Sequence, residues 1–262
     1  MNHTVARILS SFILNKEKRK KIRNKLMGNV DFVFDKKYEL AMKICDEAIN
    51  LVDIGCGPNP HKNSKVAIDP FIEPVIHRDN DVVIDVNKIT QKGCKFVKAN
   101  CENIPFENKF FDVSYSSHMI EHVDDPILAC QEIMRVSKKG VILSPNIFAE
   151  HIFGRTFHKW FVLYRENLLI FIEKSDDEIQ PLWGDIPKKD GDKYKFNNQT
   201  NPFEILLNDG NWYKGKEKMP RISNKLKQMY YSHHPAIENV FIWENQFSVL
   251  VIYQNGSTKR LN

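Results

Sequence analysis

The chain has 262 residues, which is enough for one α/β domain with an appended region and a sizeable core. Lys and Arg outnumber Asp and Glu by 38 to 33, a mild basic excess that is compatible with an anionic partner but does not require one. The globular composition excludes a disordered or fibrous chain. No apolar run reaches the roughly 20 residues of a membrane-spanning helix, and we expect no export signal.

The cysteines are odd in number and include no Cys-x-x-Cys pair. This pattern favours reduced thiols in a cytosol over a disulfide framework or a zinc cluster, so we expect a cytoplasmic protein. The cysteines are Cys45, Cys56, Cys94, Cys101 and Cys130.

Residues 1–45 have the apolar spacing of helices, with a dense basic run at residues 16–25. We interpret this part as a helical extension with a solvated, charged continuation. Contact of the basic run with an acidic membrane surface or with nucleic acid is the alternative. Residues 36–49 predict a further helix that leads into the first strand.

A glycine turn follows the first predicted strand, which contains Asp53. Gly55 and Gly57 suit a tight turn whose backbone approaches a ligand closely. A second short apolar run ends at Asp69, near the spacing at which dinucleotide-binding folds place a ribose-binding carboxylate. The connection between the two strands is short, so we expect little or no helix there.

Further strands are predicted at residues 94–99, 110–116 and 141–144. The helix before the last of these is predicted to begin with Asp125 as N-cap and Pro126 as first residue, and to end at Gly140. Strands alternating with helices across residues 46–145 predict a doubly wound, mostly parallel sheet that binds its ligand at the carboxyl ends of the strands.

Residues 146–236 are rich in aromatic residues, histidines and lysines, and they are predicted to form an inserted substrate-recognition region. The apolar stretch at residues 160–172 is predicted to be a packed helix, followed by a polar, turn-rich segment around residues 184–210. Residues 237–262 are predicted to form an apolar hairpin that adds an antiparallel pair to the core sheet.

In order and spacing, these motifs resemble the class I S-adenosylmethionine-dependent methyltransferases. The resemblance rests on Asp53 with its glycine turn, on Asp69, on residues 100–106 and on residues 111–123. It implies a Rossmann-like α/β fold with a seven-stranded, mostly parallel sheet, and S-adenosylmethionine as cofactor with S-adenosylhomocysteine as product.

The resemblance also implies roles for individual residues. Asp53 and the turn backbone would hold the methionine part, Asp69 the ribose hydroxyls, and Phe71 the adenine face. Asn100 stands where an aspartate is common in the family, at the amino edge of the adenine. The complete set of expected cofactor contacts is Asp53, Gly55, Cys56, Gly57, Asp69, Pro70, Phe71, Asn100, Cys101, Glu102, Ser116 and Ser117.

Within the family, the glycine turn and residues 122–126 look most like members encoded among bacterial surface-polysaccharide genes. A sugar hydroxyl, on a nucleotide-activated sugar or a growing glycan, is therefore the acceptor that we expect. An alcohol must lose its proton when it is methylated, and a neutral imidazole is a suited base near neutral pH. His118 is our first candidate, with Glu121 and His122 to orient or replace it.

Other histidines remain as candidate bases in the variable region: His151, His158, His233 and His234. For His122 we favour a structural hydrogen bond to the loop before Pro126. His118, Glu121 and His122 also match a zinc-protease pattern, but their context after a strand disfavours it. Magnesium at Asp124 and Asp125 is a further alternative, although we expect no metal.

Two other functions compete with sugar O-methylation. One is methylation of nucleic acid or protein, for which no recognisable RNA-binding module is present. The other is a non-catalytic binding protein that kept the fold, since fold alone does not establish activity. Intact Asp53, Gly55, Gly57 and Asp69 argue against the second alternative. We therefore expect a small-molecule or glycan acceptor.

Overall fold

The computed structural model describes residues 30–75, 83–155, 157–175, 188–190, 193–195 and 238–262. The basic run at residues 16–25, His233, His234 and most of the polar segment around residues 184–210 lie outside this range. In the described part of the chain, no helix combines the length and the apolar character needed to cross a membrane.

The main sheet has six strands among the described residues, in the order β10-β5-β4-β1-β2-β3, rather than the seven that we expect from the resemblance. Neighbours run parallel except β10, which runs antiparallel to β5. Because the order reverses between β1 and β4, a crevice opens at the carboxyl ends of these strands. The strands are β1 (Leu51–Ile54), β2 (Ser64–Ile68), β3 (Lys95–Val97), β4 (Phe111–Ser117), β5 (Ser137–Pro145) and β10 (Glu238–Glu244).

The described helices are α1 (Val30–Asp46), α2 (Val86–Gln91), α3 (Pro126–Val136) and α4 (Ile147–Phe153). The start of α3 is as predicted: Asp125 accepts hydrogen bonds from the backbone amides of Ile127 and Leu128, and Pro126 is the first helical residue. The short connection after β1 is also confirmed, since residues 55–63 form turns without a helix.

The predicted end of α3 at Gly140 is wrong. The helix ends at Val136 and β5 begins at once with Ser137, so that Gly140 lies inside the strand. A Cβ atom at Gly140 would overlap Ser114 and approach Trp243 Nε1 to 2.8 Å. The glycine is therefore needed for close packing within the sheet and does not cap the helix.

The predicted helix at residues 160–172 is also wrong, because this stretch forms a β-hairpin. The strands β6 (Trp160–Arg165) and β7 (Leu168–Glu173) pair antiparallel around a turn in which Glu166 has φ of +53°. A continuous apolar run does not distinguish a buried strand from a buried helix by its period. The aromatic and branched residues of this run instead favour strands.

The C-terminal segment divides between two sheets and does not form the hairpin that we expect. Only β10 joins the main sheet. After a turn, β11 (Ser248–Ile252) pairs parallel with β7 and antiparallel with β12 (Thr258–Leu261), giving a second sheet in the order β12-β11-β7-β6. The remaining described strands, β8 (Lys188–Asp190) and β9 (Lys193–Lys195), pair with each other.

One hydrophobic core spans both sheets and α3. Trp243 and Phe247 lie on either side of the turn between the sheets, and both are almost completely buried. Trp160 at the start of the hairpin belongs to the same cluster and donates its indole N–H to the Val123 carbonyl at 2.8 Å. This bond holds the start of β6 beside the chain that follows β4.

Candidate functional site

A cavity of about 670 Å³ opens at the carboxyl ends of β1, β2 and β4. Its size falls within the range of about 300–1,000 Å³ that is typical of small-molecule sites. Most of the residues that we expect to contact a cofactor or acceptor line it, and the exceptions are Asp53, Ser116 and Glu121. The lining includes Gly55, Cys56, Gly57, Asp69, Pro70, Phe71, Asn100, Cys101, Glu102, Ser117, His118 and His122.

The glycine turn has the left-handed backbone that its sequence predicts, with φ of +75° at Gly55 and +54° at Gly57. The backbone amides of Gly55 and Cys56 donate to the Ile68 carbonyl at 2.8 and 3.1 Å. A Cβ atom at Gly55 would overlap the Met119 side chain, which covers the turn. Both backbone conformation and space therefore require glycine at position 55.

Asp69 is 6% exposed and lies at the end of β2. One of its carboxylate oxygens accepts from the Gly57 amide at 3.0 Å, and the other accepts from the Phe71 amide at 2.9 Å. Each carboxylate oxygen has a second lone pair. The two turns thus hold the Asp69 side chain in place at the cavity. This fixed orientation suits a carboxylate that accepts hydrogen bonds from two neighbouring hydroxyl groups.

Asp53 lies beneath the cavity instead of lining it. It is 3% exposed, and its carboxylate accepts from the His61 backbone amide at 2.7 Å. Burial raises the pKa of Asp53 to about 7, although the His61 bond opposes this. Ser116 is likewise buried, at 1% exposure. In the structure these two residues support the strand ends and do not line the cavity.

The segment after β3 bonds mainly to itself and to the start of α3. The Asn100 side-chain oxygen accepts from the Glu102 amide at 3.0 Å, which directs the amide NH₂ outward. The Glu102 carboxylate accepts from the backbone amides of Asp124 and Asp125 at 2.8 and 3.0 Å. Burial raises the pKa of the Cys101 thiol to about 12, so it is not a nucleophile.

His118 follows β4 with φ of +52°, an uncommon conformation for a residue other than glycine. Its Nε2 lies 2.7 Å from Glu238 Oε1, and its Nδ1 lies 3.5 Å from Glu121 Oε1. Burial favours the neutral ring, but the two carboxylates outweigh it and raise the pKa of His118 to about 10. Because a protonated imidazole has no lone pair to offer, His118 in this arrangement does not suit the role of lone general base.

Glu238 is the residue that sequence reasoning missed. It begins β10, pairs across the ladder with Pro145 at the carboxyl end of β5, and is 6% exposed. The antiparallel direction of β10 brings its first residue to the edge where β4 ends. A carboxylate at the start of a C-terminal strand gives no local signal of this contact.

His122 has a structural bond, although with a partner that differs from our expectation. Its Nδ1 lies 3.2 Å from the Phe157 carbonyl oxygen, and its ring stacks on the Phe157 ring at 5.6 Å. His158 lies beside it and contacts Glu150. The lining residues outside the predicted site include Met119, Phe157 and Lys159.

These observations fit S-adenosylmethionine on the side of the cavity formed by β1 and β2. A buried, pre-oriented Asp69 matches the two hydroxyls of a ribose, and the backbone of Gly55 and Gly57 lines the cavity next to it. The Phe71 ring is 45% exposed and offers a flat apolar face for a base. The β4 side carries the ionisable groups.

Comparison with known proteins finds matches for the central part of the chain. Residues 52–144 match the protein family described as "Methyltransferase domain". The sterol 4-C-methyltransferase strm-1 of Caenorhabditis elegans is 30% identical over 98 residues, which are 36% of this chain and 29% of that protein. The chain thus spans less than a third of the length of this relative.

Among solved structures, similarity is found to a SAM-dependent methyltransferase of Thermotoga maritima described as a possible histamine N-methyltransferase. The TM-score is 0.34 with 19% identity, covering 47% of this chain and 56% of that one. The geranyl diphosphate C-methyltransferase of Streptomyces coelicolor gives a TM-score of 0.31 with 15% identity, covering 42% and 47%.

Proposed function

We propose that the chain, whose residues 52–144 form a class I S-adenosylmethionine-dependent methyltransferase domain, transfers a methyl group to a hydroxyl of a sugar acceptor. The observation that carries this proposal is the His118–Glu238 pair, whose imidazole lines the same cavity as the expected nucleoside-binding residues. Methylation of a hydroxyl needs such a proton-accepting group within reach of the acceptor.

Bound S-adenosylmethionine supplies an electrophilic methyl group. Asp69 and the glycine turn would hold the ribose and methionine parts, and Asn100 and Cys101 would lie at the adenine. At its own wall of the cavity, His118 donates to Glu238, so the carboxylate is the basic member of the pair. A hydroxyl that is methylated there would lose its proton, and the His118–Glu238 pair would take up that proton.

A polar acceptor suits this wall better than a sterol does. His118, His122, Asp124 and Lys159 line it, and Phe157 adds an aromatic face of the kind that packs on a sugar ring. The resemblance of residues 122–126 to polysaccharide-associated members supports the same acceptor class. Asp124 pairs with Lys159 and His118 with Glu238, and a wholly apolar acceptor would desolvate these charged pairs without adding hydrogen bonds to them.

The test is methyl transfer from tritium-labelled S-adenosylmethionine to a panel that contains nucleotide sugars, free glycans, a sterol and RNA. We expect label on a sugar acceptor and none on the sterol or RNA. Label on the sterol or RNA alone would reject the sugar acceptor but would still show methyltransferase activity. If calorimetry detects no binding of S-adenosylmethionine at millimolar concentration, both the sugar acceptor and the methyltransferase activity are rejected, and a binding protein of another kind is favoured.

A further inference from the structure

We propose that Glu121, His122 and His158 form a binding site for a divalent transition-metal ion of the Zn²⁺ class, next to the cavity. One ligand atom from each of the three side chains lies within 4.8 Å of the others. The proposal goes beyond the methyltransferase function and does not depend on it, because it concerns metal binding by side chains outside the expected cofactor contacts.

The Glu121 carboxylate is the first argument for a bound cation. Its side chain is 1% exposed, yet neither oxygen accepts a hydrogen bond from the described residues. The nearest imidazole nitrogens, His118 Nδ1 and His122 Nε2, lie 3.5 and 3.9 Å away, beyond ordinary hydrogen-bond length. A buried carboxylate without donors is costly, and a coordinated cation removes that cost.

The two imidazoles are oriented as metal ligands are. His122 directs Nδ1 to the Phe157 carbonyl at 3.2 Å, and His158 directs Nδ1 to Glu150 Oε1 at 2.5 Å. Metal-binding histidines characteristically donate one ring N–H to a carbonyl or carboxylate and use the other nitrogen as ligand. In both rings Nε2 is then the nitrogen that would coordinate the ion; His122 Nε2 lies 3.9 Å from Glu121 Oε1, and the two ring centroids are 4.6 Å apart.

Glu121 has the most distant cationic partner among three neighbouring buried carboxylates. Glu150 forms an ion pair with Lys174, which is 1% exposed, in addition to its bond with His158. Glu238 contacts His118 at 2.7 Å, and Glu121 shares the same ring at the longer distance of 3.5 Å. Because one imidazolium lies between two carboxylates, an ion at this position would complete the local charge balance.

The donor set indicates which ion fits. Two imidazole nitrogens and one carboxylate suit Zn²⁺, Co²⁺ or Fe²⁺, whereas Mg²⁺ and Ca²⁺ prefer oxygen ligands. Ligands about 2.0–2.1 Å from a tetrahedral zinc lie about 3.3 Å apart, so the three donor atoms must approach one another by at most about 1.5 Å. His122 lines the cavity, so the ion would lie at its wall.

The sequence pattern His118-x-x-Glu121-His122 therefore contains two of the proposed ligands, in a different arrangement from a zinc protease. His118 is held by Glu238 instead, and the third ligand comes from the start of the β6–β7 hairpin. The Lys159 amide donates to the Glu121 carbonyl at 2.9 Å, which fixes this segment against the turn that carries the other ligands.

The test is stoichiometric metal binding by the full, tag-free chain, independent of methyl transfer. The protein is loaded with Zn²⁺, dialysed and measured by elemental analysis, and Co²⁺ substitution is followed through visible absorption. We expect one ion per chain with tetrahedral cobalt absorption. Glu121→Gln and His158→Gln should weaken binding at least about 100-fold, and Glu150→Gln about 10- to 100-fold.

His151→Gln is the matched control, since His151 is an exposed histidine in the same region. It should bind the ion as the wild type does. The proposal is overturned if the wild type binds the metal ion no more tightly than Glu121→Gln does, or if every variant binds it equally well. If circular dichroism shows that His158→Gln does not fold, metal binding by Glu121→Gln decides the test, because glutamine preserves the shape of the glutamate side chain.

Discussion

His118 Nε2 lies 2.7 Å from Glu238 Oε1, although 120 residues separate the two in sequence. The contact joins the end of β4 to the start of β10 at the edge of the cavity. It also changes the role that His118 can have, because a ring held by carboxylates is a hydrogen-bond donor. In the mechanism that we propose, the pair as a unit, and not the imidazole alone, would accept the proton.

Glu238→Gln should therefore lower kcat by about 100-fold, since the amide keeps the shape of the side chain but removes its basicity. The affinity for S-adenosylmethionine should change less than about twofold, because Glu238 does not line the nucleoside side of the cavity. Steady-state rates and calorimetry measure the two effects. Glu244→Gln, at the exposed end of the same strand, is the control, and wild-type turnover in Glu238→Gln would contradict the assignment.

Asp69→Ala should weaken binding of S-adenosylmethionine by about 1.5–3 kcal/mol, or about 10- to 150-fold, through loss of charge-assisted hydrogen bonds to the ribose. Calorimetric titration measures the change. Asp112→Ala removes an aspartate of β4 that pairs with Lys138 outside the cavity, and its affinity should equal that of the wild type. An unchanged affinity in Asp69→Ala would show that the ribose lies elsewhere.

Gly55→Ala should reduce the free energy of unfolding by more than Gly93→Ala does. Both glycines have positive φ, +75° and +80°, so each substitution costs about 1–2 kcal/mol in backbone strain. Only at Gly55 does the added Cβ meet another side chain, that of Met119. Urea denaturation measures the difference. Adding Met119→Ala should recover part of the extra cost of Gly55→Ala, because it removes the Cγ atom of Met119 but keeps its Cβ atom 2.6 Å from the added one. Equal costs in the two single variants would argue against close packing of Met119.

Asp53 should make the stability of the protein depend on pH. Its pKa rises from 3.8 to about 7 on folding because burial disfavours the charged carboxylate. The protonated form therefore stabilises the fold below about pH 4, and this contribution is lost as the pH rises toward 7. Asp53→Asn should remove this loss of stability with rising pH. The loss is at most about 4 kcal/mol for a pKa shift of about three units. Urea denaturation at pH 4.5 and 7.5 measures it, and an identical pH dependence in both proteins would contradict the prediction.

The glycine turn and the position of Asp69 at the cavity were predictable because their signals are local. Gly55, Gly57 and Asp69 each follow a short apolar strand within one stretch of about 20 residues, and the chemistry of tight turns demands these residue types. The start of α3 at Asp125 and Pro126 was predictable for the same reason, since a helix cap is decided by neighbours in sequence.

The errors occurred where several elements compete for the same apolar residues. The β6–β7 hairpin was predicted as a helix because a continuous apolar run has no distinguishing period, and the choice depends on whether a partner strand is available. That partner is β11, which lies about 80 residues further along the chain and leaves the main sheet after β10. Gly140 was assigned to a helix end because the packing of Ser114 and Trp243 against it is not visible in sequence.

The sequence by itself determined the doubly wound core, the glycine turn and the carboxylate of Asp69 that lines the cavity, because short strands and turns between near neighbours specify them. Only the tertiary structure decided what surrounds His118 and Glu121. Glu238 arrives there on an antiparallel strand, and His158 arrives on a hairpin fastened by Trp160 and Lys159. Charge and coordination at this wall depend on distances between elements, and those distances are set by the packing of the two sheets on one core.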